Sequence, residues 1–279
     1  MTTQKSIAEL EEIAKEIRLT ILKTTNNAGC GHTGGSLSEA DILAALYFRV
    51  MNIDPADPRK EDRDRFILSK GHATPGYYSA LAVRGFFPKE TLDGFDRLGS
   101  ILQAHPDMHK TPGVDISSGS LGQGLSCGIG MALGGEARGI PFHTFVLMGD
   151  GESAEGQIWE AALFAGASNK RVKRIIALVD YNKVQLASTT KEAVDLGDLA
   201  SKYRAFGWTA LECDGHDMAA LVETLEKAKA ASEEGPVAVI AHTVKGKGVS
   251  FMEGEFKWHG AAPNDEQYAA AVKEIRGER

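Results

Sequence analysis

Hydrophobic positions recur at helical spacing near the amino terminus and form short continuous runs further along the chain. In residues 6–26 the apolar positions fall on one helical face, which predicts an amphipathic helix that ends at Gly29. Residues 31–36 are rich in glycine and predict a loop, and residues 38–50 predict a second helix capped by Ser38. Further helices are predicted at residues 125–138, 157–168, 218–231 and 265–276, with mixed helix and loop over residues 85–111.

Short apolar runs between the predicted helices have the composition of buried strands. They lie at residues 65–69, 144–148, 175–179, 208–212 and 237–241. Alternation of such runs with helices predicts an α/β fold, with a mostly parallel sheet covered by helices on both faces. No repeat, low-complexity tract or long linker interrupts the pattern, so we expect a single domain over residues 1–279 with helical extensions at both ends.

Composition and charge narrow the classes of partner. Of the 279 residues 43% are hydrophobic and 25% charged, and the net charge is −7. This balance predicts no broad attraction to nucleic acid or to an anionic membrane, so a phosphorylated ligand would need a local site. The 3 cysteines are scattered, which is typical of a reducing compartment. The amino terminus has no apolar core of a signal peptide, and no apolar run approaches the roughly 18 residues of a membrane span. We expect a cytoplasmic protein.

Polar residues follow two successive predicted strands. Gly149-Asp150-Gly151 ends the strand at residues 144–148, and Asp180-Tyr181-Asn182 ends the next one. In parallel α/β sheets, ligands bind outside the carboxyl ends of the strands, where oxygen ligands from Asp150 and Asn182 would suit Mg²⁺ or Ca²⁺. A plain strand-to-helix turn is the alternative. The pair resembles the thiamine diphosphate motif, and that resemblance implies metal binding by Asp150, Asn182 and the main-chain carbonyl of Val184, with Mn²⁺ as another possible ion.

Histidines next to flexible backbone positions form a second group of candidates. They are His32, His72, His105 and His259, and each could donate hydrogen bonds to oxygen atoms or carry a proton near neutral pH. A single such residue could equally be a solvated loop histidine. Zinc binding is not favoured, because these four lack the spacing of zinc motifs. The remaining histidines are expected to be structural, namely His109, His143, His216 and His242.

A family resemblance covers almost the whole chain. The segments that carry it are residues 31–35, 68–72, 118–124, 149–182 and 258–260, and they resemble successive motifs of transketolase, in the same order. The match is to the amino-terminal, diphosphate-binding part of that family. It is similar to the short subunit of transketolases that are divided into two polypeptides.

The resemblance implies a role for each matching residue. His32 and His105 would contact hydroxyl oxygens of the donor sugar, while His72 and His259 would lie beside the diphosphate and the reacting centre and assist proton transfer. Glu155 would lie at a subunit junction, although a solvated glutamate at a helix start is an equal alternative. The implied cofactor-binding set is His72, Gly119, Leu121, Gly149, Asp150, Gly151, Glu155, Asn182, Lys245 and His259.

The resemblance also implies a reaction and a partner. A two-carbon ketol unit would pass from a ketose phosphate to an aldose phosphate, with thiamine diphosphate and Mg²⁺ as cofactors. The glutamate that activates the cofactor belongs to the family's next domain, so we expect a second subunit that carries the pyrimidine-binding and carboxyl-terminal domains, and assembly of the pair into a heterotetramer.

Three alternatives stay open at this stage. The first is another thiamine diphosphate enzyme, such as a deoxyxylulose phosphate synthase or the alpha chain of a 2-oxo acid dehydrogenase. The second is a non-catalytic cofactor-binding module. The third is a divided transketolase for an unusual, branched or sulfonated sugar rather than for the pentose phosphate pathway.

Overall fold

Five parallel strands form one sheet at the centre of the computed structural model, which describes residues 4–167 and 172–278. In spatial order the strands are β1-β2-β3-β5-β4, and every neighbouring pair is parallel. The predicted parallel sheet is therefore confirmed. The strand bounds are β1 Arg65–Leu68, β2 Thr144–Gly149, β3 Ile175–Tyr181, β4 Thr209–Asp214 and β5 Val237–His242.

Helices cover both faces of this sheet. Alternate strand residues point to opposite sides, so Phe66 and Phe145 join one buried cluster, while Ile67 and Val146 join another. The helix bounds are α1 Ile7–Ala28, α2 Thr33–Ser38, α3 Ala40–Ala45, α4 Thr74–Arg84, α5 Gln123–Ala137, α6 Gly156–Gly166, α7 Thr190–Ala193, α8 Leu199–Ala205, α9 Met218–Ala231 and α10 Asp265–Arg276. The first cluster takes the apolar faces of α1, α3, α4 and α9, and the second takes those of α5, α6 and α8.

Helix α1 begins and ends where the sequence signals predict. The Ser6 side chain accepts a hydrogen bond from the Glu9 amide, and the Glu9 side chain accepts one from the Ser6 amide, which forms a capping box. Gly29 ends the helix in the left-handed conformation, with φ +68°. The prediction for residues 6–26 is confirmed, and the observed helix extends to Ala28.

The predicted loop at residues 31–36 is wrong for most of its length. Residues Thr33–Ser38 form α2, a short helix in which every residue is buried. Its glycines allow close packing, since a Cβ on Gly34 would lie 3.0 Å from the Trp258 carbonyl oxygen. Tertiary packing thus overrides the low helix propensity of glycine.

The predicted cap at Ser38 is also wrong. Ser38 is the last residue of α2, and its hydroxyl donates to Asp180 Oδ2 at 2.6 Å, so it is turned into the core. The predicted helix over residues 38–50 is divided into α3 and a π-helical turn, Leu46–Val50.

Further differences concern the helices. The sequence pattern predicts no element where the structure has α4, α7 and α8. For α4, Pro75 in the first turn and Gly85 after the last are ordinary helix signals. Helix α6 confirms the prediction at residues 157–168 as far as Gly166, and Ser168 lies outside the described residues. Residues 1–3 and 279 do so too, and the single domain over residues 1–279 stays a prediction.

Candidate active site

A cavity of about 510 Å³ opens at the carboxyl ends of β1, β2 and β3. This volume is in the range of small-molecule sites. The structure brings twelve of the thirteen predicted site residues to its wall, namely His32, His72, His105, Gly119, Leu121, Gly149, Asp150, Gly151, Asn182, Val184, Lys245 and His259. The wall also contains residues that sequence reasoning did not select, namely Gly35, Lys70, Glu152, Gln185 and Leu186.

Strand register places Asp150 and Asn182 together. Strands β2 and β3 are parallel neighbours with Gly149 opposite Asp180, so the residues that follow them leave the sheet at the same edge. Asp150 Oδ2 accepts a hydrogen bond from the Lys183 amide. Lys183 has φ +67°, an uncommon left-handed conformation that turns the chain between Asn182 and Val184.

The Asp150 carboxylate is buried and only partly compensated. Its side chain is 2% exposed, and its other oxygen, Oδ1, accepts from the Gly151 amide at 2.7 Å. Burial, with a further contribution from the Asp180 charge, raises the pKa of Asp150 from 3.8 to about 7. A cation beside this carboxylate would favour its charged form. Because the Gly151 amide already donates to Asp150, a diphosphate would have to replace that hydrogen bond to use this amide.

The Val184 carbonyl oxygen already accepts a hydrogen bond from a lysine side chain. Lys245 Nζ donates to this oxygen at 3.1 Å, and the lysine is 2% exposed. Burial lowers the pKa of Lys245 from 10.5 to about 8. The ammonium lies where it can meet either a metal-bound group or a phosphate oxygen.

A buried ionic network lies beneath the cavity. Lys70 Nζ lies 2.7 Å from carboxylate oxygens of both Glu39 and Asp180. Asp180 Oδ2 also accepts from Asn182 Nδ2 at 3.3 Å, so the network orients the Asn182 amide. Burial raises the pKa of Glu39 to about 8. At Asp180 burial acts in the same direction, but the Lys70 charge and the hydrogen bonds from Lys70, Ser38 and Thr243 together outweigh it and lower the pKa.

Three imidazole rings meet on one wall of the cavity. The ring centroids of His32 and His72 are 4.8 Å apart, those of His72 and His259 are 5.0 Å apart, and those of His32 and His259 are 5.4 Å apart. Burial and neighbouring cations lower the pKa of His72 to about 2 and that of His259 to about 3. Burial also lowers the pKa of His32. The three rings are therefore neutral at pH 7.

Contact with Lys245 fixes the tautomer of His259. Lys245 Nζ lies 2.8 Å from His259 Nδ1. An ammonium group can only donate, so Nδ1 accepts and the proton of the neutral ring is on Nε2. His259 consequently offers a hydrogen-bond donor rather than an acceptor on the side of the ring away from Lys245.

The remaining wall is formed by the glycine-rich turn before α5. Gly119 has φ +152°, and a Cβ there would lie 3.0 Å from His105 Cδ2, so glycine allows the turn to close on His105. His105 itself is exposed at the rim of the cavity.

Glu155 does not line the cavity. It is exposed and precedes α6 as its cap residue, without a side-chain hydrogen bond to that helix. The buried glutamate of this segment is Glu152, two residues after Asp150 in the same motif. A direct cofactor contact by Glu155 has no support in this geometry, and its role at a subunit junction stays a prediction.

Comparison with known proteins assigns the chain to a protein family. The sequence matches the family described as transketolase, thiamine diphosphate binding domain, over residues 10–278. The chain belongs to the transketolase family. The predicted resemblance is thereby confirmed, together with the α/β thiamine diphosphate-binding fold.

Two relatives of this transketolase-family chain are themselves named as subunits. The chain is 46% identical over 270 residues to the 6-deoxy-6-sulfo-D-fructose transketolase subunit SqwG of Clostridium sp. (strain MSTE9), covering 97% of this chain and 97% of that protein. It is 42% identical over 275 residues to an apulose-4-phosphate transketolase subunit of Actinobacillus succinogenes, covering 98% of each. These relatives confirm the prediction of a transketolase-type transferase subunit.

A solved transketolase shares the fold. The crystal structure from Campylobacter jejuni superimposes with a TM-score of 0.89 at 31% identity, and the match covers 100% of this chain and 43% of that chain. This chain therefore matches less than half of the length of that transketolase.

Two negative observations apply only to residues 4–167 and 172–278. None of their helices is long and apolar enough to cross a membrane. They also contain no group of three or more His, Cys, Asp or Glu residues that could hold a metal ion. The predicted metal site has a different composition. Its ligands are one carboxylate, from Asp150, one side-chain amide, from Asn182, and the main-chain carbonyl of Val184.

Proposed function

We propose that this chain is the diphosphate-binding subunit of a two-chain transketolase that moves a ketol unit between sugar phosphates or similar sugars. The observation that carries the proposal is the near-complete match, over 97% of both proteins, to a transketolase subunit of nearly the same length. The cavity supports it, because Asp150, Asn182, Lys245 and a histidine cluster converge there. A partner subunit would complete the site, and assembly of the pair into a heterotetramer is part of the proposal.

The residues present fit thiamine diphosphate with a divalent metal. Asp150, Asn182 and the Val184 carbonyl would hold Mg²⁺, with Ca²⁺ or Mn²⁺ as substitutes, and Lys245 would neutralise the diphosphate. The position of Lys245 on the Val184 carbonyl supports this assignment, because that oxygen already faces a cation. When bound, thiamine diphosphate supplies the electron sink for breaking and forming a carbon–carbon bond.

The chain's own contribution is orientation and proton placement. The neutral rings of His32, His72 and His259 can bind sugar hydroxyl and carbonyl oxygens without adding positive charge to the cavity. His259 would donate from Nε2, since Lys245 occupies Nδ1. His105 would reach the sugar from the rim.

The sugar we favour is an unusual one. Both subunit relatives are named for such sugars, a sulfonated ketose and apulose 4-phosphate. The pentose phosphate reaction is the second candidate, since the chain also aligns with ordinary transketolases. The cytoplasmic location stays a prediction.

The deciding experiment is ketol transfer by this chain alone and with its co-expressed genomic neighbour, in the presence of Mg²⁺ and thiamine diphosphate. The donors would be 6-deoxy-6-sulfofructose, apulose 4-phosphate and xylulose 5-phosphate, with ribose 5-phosphate as the acceptor. We expect activity only in the mixture, with preference for one of the first two donors. Full activity of the single chain would contradict the need for a partner, and cofactor binding without any transfer would favour a non-catalytic module. Pyruvate turnover in place of ketol transfer would favour another thiamine diphosphate enzyme.

A further inference from the structure

A buried carboxylate lies in the cavity wall without a role in the proposed chemistry. Glu152 is 3% exposed and begins a short turn, Glu152–Ala154, that follows the Gly149-Asp150-Gly151 motif. Its Oε1 accepts hydrogen bonds from the Ser69 hydroxyl and, at 2.8 Å, from the Gly122 amide. Its Oε2 accepts from the Gly149 amide at 3.0 Å. Both oxygens are therefore engaged.

The three donors belong to three different loops of the cavity. The first loop, residues 69–72, follows β1 and carries His72. The second, residues 118–122, precedes α5 and carries Leu121. The third, residues 149–151, begins at Gly149, the last residue of β2, and carries Asp150. Strand pairing joins β1 to β2 as far as Leu68 and Leu147, and the Ser69 amide adds one more hydrogen bond, to the Leu147 carbonyl at 2.8 Å. Beyond Ser69 the pairing of β1 with β2 ends, and the second loop lies outside the sheet.

The second loop depends most on this carboxylate. At one end the Ser118 hydroxyl donates to the Leu68 carbonyl at 2.6 Å, and at the other end Gly122 donates to Glu152. Its approach to the first loop is close, because a Cβ on Gly71 would lie 2.8 Å from the Gly119 nitrogen. A change of position at Gly122 would consequently alter the space around His72.

We propose that Glu152 is a positioning residue that sets the spacing of these three loops and thereby places His72, Leu121 and Asp150 for thiamine diphosphate. The placement of residues for the cofactor rests on the proposed function, whereas the role of Glu152 in spacing the loops rests on the hydrogen bonds alone. A carboxylate suits this place because it accepts on both oxygens. Glutamine has the same shape, but its NH₂ group would face one of the donors and leave that donor without an acceptor.

The first test is amide hydrogen exchange of the free chain, resolved by residue. In Glu152→Gln we expect exchange at Gly122 and Gly149 to become at least about tenfold faster, with little change in β3. Glu11→Gln, the same substitution at an exposed position of α1, is the matched control. Ser69→Ala removes one donor and keeps the carboxylate, so it serves if Glu152→Gln folds poorly, with a smaller increase at the same two amides. Unchanged exchange in both variants would show that Glu152 does not hold the loops.

The second test measures thiamine diphosphate affinity of the two-subunit complex at saturating Mg²⁺. We expect the Kd to rise at least about tenfold in Glu152→Gln, and kcat to recover towards the wild-type value at saturating cofactor. A purely structural residue would lower the melting temperature and leave the Kd unchanged, and that result would overturn the inference. If the wild-type complex binds no thiamine diphosphate, the proposed function falls and the cofactor part of this inference falls with it, while hydrogen exchange still decides the role in the loops.

Discussion

Burial determines the charge of single residues in this cavity. Desolvation is the largest cause of the lowered pKa values of His72 and His259, and it is also the largest cause of the raised pKa of Asp150. The histidines are thus kept neutral, while the pKa of Asp150 lies near neutral pH, so that this carboxyl group changes its charge there. A neutral imidazole cluster beside buried lysines suits a site that must bind both hydroxyl groups and an anion.

The low pKa of His72 predicts a dependence of stability on pH. The pKa falls from 6.5 to about 2 on folding, so between these values the unfolded chain binds a proton that the folded chain does not. The stabilising effect of neutral His72 is present above pH 6.5 and is lost as the pH falls below it. Relative to His72→Asn, the free energy of unfolding of the wild type should decrease by up to about 1.4 kcal/mol per pH unit.

Urea unfolding of both proteins at several values between pH 7.5 and pH 5 would measure this difference. The comparison with the variant matters because Asp150 and Glu39, whose pKa values are raised, change stability in the opposite direction over part of the range. Their contributions are common to both proteins and cancel. Parallel curves for the two proteins would mean that the His72 imidazole keeps its ordinary pKa.

Among the elements, α5 shows how glycine serves packing. The sequence predicts a helix at residues 125–138 from a segment rich in glycine and alanine, and the structure confirms it at Gln123–Ala137. Gly128 faces the sheet, where an added Cβ would lie 2.5 Å from Val146 Cγ2. Gly130 is exposed, and an added Cβ there would meet nothing within 4 Å.

These two glycines provide a matched pair of substitutions. Gly128→Ala should lower the free energy of unfolding by about 1–3 kcal/mol, because the core has no room for the methyl group. Gly130→Ala should raise it by about 0.5–1 kcal/mol, because alanine loses less conformational entropy in a helix. Denaturant unfolding of the isolated chain measures both effects. Equal effects of the two substitutions would contradict the close packing of α5 on β2.

At the scale of the whole molecule, ligand binding and stability are linked. Mg²⁺ with thiamine diphosphate should bind the folded chain and not the unfolded chain, since the cavity residues come together only after folding. At a ligand concentration of 100 Kd, the gain in the free energy of unfolding should be about 2.7 kcal/mol, and chelation of the metal should remove it.

Asp150→Asn is the control for this linkage. The variant keeps the size of the side chain but loses the charge that would bind the metal, so thermal unfolding of the complex should show no gain from the added ligands. Asp57→Asn, at an exposed position in the loop before β1, should retain the full gain. Stabilisation of Asp150→Asn equal to that of the wild type would remove Asp150 from the proposed metal site.

The sequence by itself determined the parallel α/β sheet, the approximate bounds of α1, α5, α6, α9 and α10, and most of the residues that line the cavity. Apolar runs and glycine-rich motifs are local signals, and strand ends in a parallel sheet converge at one edge for any sequence with this alternation. Family motifs then added Gly119, Leu121, Val184 and Lys245, which lie in segments far apart along the chain.

Only the tertiary structure decided features that depend on contacts between distant segments. The helix α2 and the inward position of Ser38 arise from packing around Asp180, which local propensity does not contain. Lys70 and Glu152 lie within segments that carry the family resemblance, but their importance follows from burial and from partners brought close by folding. Charge state belongs to this group as well, because desolvation is a property of the assembled cavity and not of the residue type.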